Sequence, residues 1–198
     1  VVAREIYLEL EENKAYLEQT LEEWTRRHAH ILALKDTLLT ENLELSQHRF
    51  DSLLLGCLRY SNFSPFRKKL DRSLAERTFG FPKSRALLGE LMDLTGLYDA
   101  LDVYFQYNAD TWKGIVQPYL ITHYSFRNIN NALMGAREVR RITVVDHGPL
   151  LADPVFDNIV NNMEGDVRPF IQRLKTTLDQ IAGVLALLES SYPGINTA

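Results

Sequence analysis

The chain has 198 residues, 45% of them hydrophobic and 24% charged, with a formal net charge of −4. Such a balance supports one good core, is marginal for two domains, and excludes bulk disorder; the negative charge argues against a nucleic-acid partner. The lone Cys57 excludes an internal disulfide and a thiolate zinc site, and no run of about 20 apolar residues is present to span a membrane.

Apolar residues stand at steps of seven from the start: Ala3, Leu10, Leu17, Trp24, Ile31, Leu38 and Leu45. The stretch is free of Pro and Gly, so the spacing predicts one long helix from Val2 to Leu39 with a continuous seam. At 1.5 Å per residue it is roughly 55–60 Å long, and a rod of that length needs a partner along its whole seam. Its acidic first half (Glu5, Glu9, Glu11, Glu12) gives way to Arg26, Arg27, His28, His30 and Lys35, which complements the helix dipole. This gradient reads as a solvated outer face; a docking surface for a basic partner is the other reading. No Ser, Thr, Asp or Asn precedes Arg4 to cap the helix. The expectation is that the N-terminus is cut, with a signal peptide or membrane anchor among the candidates for what preceded it.

Residues 40–46 predict a turn, and Phe50, Leu53, Leu54, Cys57 and Leu58 predict a helix over Gln47 to Tyr60. Cys57 on that apolar face reads as a small core residue rather than a nucleophile. Ser64 and Pro65 look like an N-cap and first helical position for a short helix through Leu70 and Leu74. Arg59, Arg67, Lys68, Lys69, Arg72 and Arg77 make this the most basic segment, interrupted by Asp71 and Glu76. It reads as solvated surface, with an anionic contact as the alternative.

Ser84 can cap a helix carrying Leu87, Leu88, Leu91, Met92 and Leu94, which is expected to stop at Thr95-Gly96. The next helix is expected from Tyr98 to Arg127, with its contacts at Leu101, Tyr104, Phe105, Asn108, Trp112, Ile115, Tyr119 and Thr122, kinked by Pro118. Its aromatic side chains read as core filling, with a ligand pocket as the rival reading. A polar connection is expected over Asn128 to Ala152, including a short amphipathic piece (Ala132 to Arg140) and an extended Ile142-Thr143-Val144-Val145. Asp153 then caps a last helix with Pro154 in first position. Its seam runs Val160, Val167, Leu174, Ile181 and Leu188, again at steps of seven, across Gly165 and Pro169, which are expected to bend it. The expected fold is thus all-α: an elongated helical bundle, 1–198 as a single domain, with the long first and last helices side by side and the shorter middle helices on one flank. An antiparallel pair is favoured.

No residue set carries recognisable chemistry. His28 and His30 point to different sides of their helix, and His48, His123 and His147 stand apart; HExxH, paired CxxC, di-iron and Gly-rich phosphate patterns are absent. Asp146-His147-Gly148-Pro149 resembles a tight turn, and Asp110 and Glu138 read as exposed helix residues. No catalytic, cofactor-binding or metal residue is therefore assigned.

Three segments together, AREIYLELEENKAYLEQTLEEW, RALLGELMDLTGLYDAL and LLADPVFDNIVNNMEG…TTLDQIAGVLALLES, resemble a broad set of uncharacterised bacterial proteins in which a short N-terminal transmembrane helix leads into an all-helical domain. In that group a Ser/Thr-Gly step follows a mid-chain helix, as Thr95-Gly96 does here, and Leu151-Ala152-Asp153-Pro154 matches the opening of the last helix. The resemblance implies a membrane-anchored helical domain facing the periplasm, without catalytic residues. The expected function is a non-enzymatic interaction or assembly domain with a protein partner or a second copy of itself. The alternative is an extracytoplasmic sensor holding a small ligand near Trp112.

Overall fold

A computed structural model describes residues 1–40, 45–59, 63–76, 81, 85–125 and 147–196. In chain order the helices are α1 (Val2–Leu39), α2 (Gln47–Leu58), α3 (Lys68–Glu76), α4 (Arg85–Thr111), a π-helical turn (Trp112–Val116), α5 (Gln117–His123), a single turn α6 (Gly148–Leu151) and α7 (Pro154–Ser191). No strand occurs among the described residues. The first and last helices pack together, as the matched seams predict. Tyr7 donates to Glu189 Oε1 at 2.7 Å and Lys35 pairs with Glu164 at 2.8 Å, so the two long helices run antiparallel.

The contacts divide into two compact units. The first comprises Val1–Glu22, Asn62–Phe105 and Phe170–Ala198. Here Ile6, Leu10 and Leu17 of α1 are buried, as are Leu174, Ile181 and Leu188 of α7. The flank is covered by α3 and by α4, which buries Leu87, Leu91, Leu94, Tyr98 and Leu101. That sequence of burials runs straight through Thr95-Gly96, so the expected stop there does not occur. Gly96 lies exposed on the outer face, and Thr95 Oγ1 donates back to the Leu91 carbonyl at 3.0 Å within an unbroken helix. A helical Gly costs about 1 kcal/mol, whereas burying each of Tyr98 and Leu101 returns about 1.5–3 kcal/mol. Packing overrides the local stop signal.

The second unit comprises Glu23–Ser61 and Gln106–Pro169. Its core joins Trp24, Ile31 and Leu34 of α1 to Phe50 and Leu54 of α2 and to Phe156, Val160 and Val167 of α7. An aromatic cluster closes one part of it: Phe50 stands edge-on to Tyr124 at 5.5 Å and stacks on His147 at 5.0 Å. Tyr119 stacks on Phe156 at 6.0 Å. Asp153 caps α7 as expected, its Oδ1 accepting from the Val155 N–H at 2.8 Å, and α7 continues as one helix through Gly165 and Pro169.

Three further expectations change. The helix after Pro65 begins only at Lys68, for a reason given below. Part of the expected polar connection is the helical turn α6, with the Leu150 and Leu151 N–H groups donating to the His147 carbonyl. Where Pro118 is expected to kink a continuous α-helix, the chain forms the π-turn, closed by the Gln117 N–H donating to the Trp112 carbonyl. Pro118 has no N–H for an α-helical bond to Gly114 and its ring crowds that carbonyl; widening the turn relieves both. The expected piece 132–140, the extended 142–145, Asp146, Glu138, the Ser84 cap and the helix end at Arg127 lie outside the described residues.

Candidate functional site

The steps of seven on α1 have a companion row three residues on: Ile6, Asn13, Thr20, Arg27 and Leu34, all buried. Its middle is polar. Buried polar groups must find partners, and what they hold is informative.

In the first unit, the Asn13 amide Nδ2 donates to the Phe66 carbonyl at 2.6 Å and to Tyr98 Oη at 3.1 Å. Its Oδ1 accepts the Phe66 N–H at 2.7 Å. The side-chain amide therefore pairs with the backbone of Phe66 in both directions. One turn earlier, the Glu9 carboxylate accepts the N–H groups of Lys69 and Leu70 at 2.9 and 3.0 Å. The first N–H groups of α3 are thus satisfied from α1, and the carboxylate sits at the positive end of the helix dipole. This is why α3 starts at Lys68 and Ser64 is not its cap. Burial is the main cause of the upward shift of the Tyr98 hydroxyl, and the Asn13 hydrogen bond opposes it.

Anchoring the 63–70 segment places Arg67. Its Nε donates to Asp71 at 2.8 Å and its Nη1 to Asp99 at 2.5 Å, while Asp102 lies in the field of the same guanidinium. Two carboxylates hold one cation, and a third lies within its field. Burial raises the Asp102 carboxyl above the usual range, and Arg67 pulls it back. Beside this cluster, α3 and α4 form an open groove of about 840 Å³, lined by Ser73, Leu74, Phe81, Leu88, Met92, Thr95, Gly96 and Asp99. Met92 is 60% exposed at its wall.

In the second unit, Arg27 Nε donates to the Cys57 carbonyl at 2.7 Å and its guanidinium lies 4.6 Å from the centre of the Trp24 ring. Cys57 is fully buried, and desolvation pushes its thiol from 9.0 to about 12, which fits a core residue and not a nucleophile. Next to Arg27, Asn108, Trp112 and Asp166 enclose a cavity of about 20 Å³. That volume holds about one water and no larger molecule. Burial raises the Asp166 carboxyl and Arg27 opposes the shift.

Three of the histidines are held in packing contacts. The His30 ring packs on Gly56, His123 stacks on Tyr119 at 4.5 Å, and His147 belongs to the aromatic cluster. No group of three or more His, Cys, Asp and Glu able to hold a metal occurs among the described residues. Asp110 is exposed and accepts from Gln106 at 2.9 Å. Of the basic segment, Arg67 is committed to its carboxylates, and Lys68, Lys69 and Arg72 are exposed. Sequence reasoning assigned no site residues and missed the groove. Its one available signal was Gly96 within a helix whose buried row continues past it. Comparison with family models, with curated proteins and with solved structures finds no match to this chain.

Proposed function

We propose that this chain is a non-enzymatic helical interaction domain, and that the groove between α3 and α4 is where it engages a partner. The observation that carries this reading is the open apolar wall of Leu74, Leu88 and Met92 in a framework held by buried polar clasps. An apolar concavity left open to water is the usual mark of a binding surface. A photo-crosslinking residue placed at Met92 in cells making the whole protein is expected to give a discrete protein adduct. The same residue at exposed Ala182 on α7 is expected to give none. Equal labelling patterns from the two positions would overturn the reading.

Attachment to a bacterial membrane, with the domain in the periplasm, is carried by the family resemblance. No described helix is long and apolar enough to cross a membrane. A tether outside this chain predicts that the whole protein sediments with membranes, resists salt extraction and is released by detergent. Recovery in the soluble fraction alone would remove the tether from the proposal.

The groove volume also falls within the span of small-molecule sites, which favours the sensor reading as the second one. We place that reading at the groove, because the cavity described beside Trp112 has room for about one water. A ligand there raises the melting temperature by mass action, so a thermal-shift screen with wild type and Met92→Asp separates the two.

A further inference from the structure

We infer that the cavity beside the π-turn is a binding site for one resident water, and that this water bridges Arg27 of α1 to Asp166 of α7. The inference is independent of the groove and of what the groove engages. The polar lining comes from three helices of the second unit: Arg27, Asn108 and Thr111 of α4, and Asp166. Arg27 and Asn108 are buried, and buried Leu58 and Val116 close the apolar side. An interior water needs a polar site, two to four partners and room for about one probe sphere, roughly 10–15 Å³. The volume of about 20 Å³ meets the last condition. The first two are met by type: a guanidinium donates, a carboxylate accepts, and an amide or hydroxyl does either.

The charges decide what kind of particle fits. Asp166 lies in the field of the Arg27 guanidinium, and burial has stripped part of the hydration from both. A bare cation in this space is repelled by Arg27, and a bare anion by Asp166. An apolar atom satisfies neither group and leaves both with the cost of lost hydration. A water-sized dipole accepts from the guanidinium and donates to the carboxylate at once. Thr111 directly precedes the π-turn and Val116 ends it, so the same water ties that turn to the two long helices.

The test is a crystal structure of the whole chain near pH 7, at a resolution that shows ordered water. One water is expected about 2.7–3.2 Å from the Arg27 guanidinium and about 2.5–3.0 Å from the Asp166 carboxylate. In solution, the π-turn amides are expected to give nuclear Overhauser cross-peaks to water of the sign that marks a long-lived guest. Asp166→Asn is expected to keep both signals, because the amide oxygen still accepts. Asp166→Leu is expected to lose both; if it fails to fold, wild type and Asp166→Asn decide between them. Direct contact of Arg27 with Asp166 and no water between them overturns the proposal. So does an ion in the water's place, or xenon entering the wild-type cavity under pressure, which marks a dry void. Persistence of the water signals in Asp166→Leu removes Asp166 as a partner and overturns the bridge.

Discussion

Gly56 shows how a single residue type is fixed by its neighbour. A Cβ at this position would come within 2.3 Å of His30 Cγ, so the close passage of α2 over α1 favours hydrogen there. Gly56→Ala is expected to destabilise the protein by about 1–3 kcal/mol in urea unfolding, as overpacked cores do. Gly183 is the opposite case: it is exposed within α7 and a Cβ there meets nothing. Gly183→Ala is expected to stabilise by about 0.5–1 kcal/mol, and an equal sign for the two variants would refute this account. Cys57 makes a prediction in pH. Its folded thiol titrates near 12 against 9.0 for the free group, so the stabilisation is complete below pH 9 and is lost as pH rises toward 12. Ellman's reagent at pH 8 is accordingly expected to leave the native thiol untouched and to react fully once urea unfolds the chain.

At the scale of the element, the π-turn decides which residues α5 buries. A straight α-helix from Asn108 brings Ile115, Tyr119 and Thr122 to the core, as the spacing predicts. The structure buries Val116, Leu120 and Tyr124 instead and leaves Ile115 52% exposed. One extra residue in the turn advances the buried face by one position. Deleting Gly114 together with Pro118→Ala is therefore expected to yield a plain α-helix with Leu120 and Tyr124 still inside. The variant is expected to keep a cooperative melt and the near-ultraviolet dichroism of its buried aromatics. Deletion of Ala100 from α4, where no π-turn absorbs the change, is expected to abolish both. The long helices were legible because their apolar rows at steps of seven are uninterrupted from Ala3 to Ile31 and from Val160 to Leu188. Asn13, Thr20, Arg27 and Thr177 were not legible as core, since each is polar and is buried only because a bond partner sits opposite or one turn back. The groove was hidden for a related reason: Thr95-Gly96 imitates a helix end, and only the burial of Tyr98 and Leu101 reveals that the helix goes on.

Across the whole molecule, carboxylates are shifted in both directions, and the pH dependence of stability is the balance. A hydrogen bond from Tyr119 holds Asp153 low, and the Lys35 ammonium does the same for Glu164. Their contributions are present above the ordinary carboxylate range and fade as pH falls through their depressed values. Burial raises Asp102 and Asp166, which works the other way: the folded state takes up their protons first, so stability rises as pH falls through the raised values. Asp166→Asn is expected to melt above wild type at pH 7, with the gap closing as pH falls through the raised value of Asp166. A gap that widens in acid would contradict the burial argument. One last consequence belongs to Asn13. A segment held against a helix by apolar contacts alone can glide along it by a turn and lose little, because one leucine resembles the next. The buried Asn13 amide, clasping the Phe66 peptide group, admits a single setting of the 63–70 segment on α1, since any glide leaves that amide without its partner. That clasp is a ratchet tooth, and it holds in place the very segment that carries Arg67 to Asp71 and Asp99.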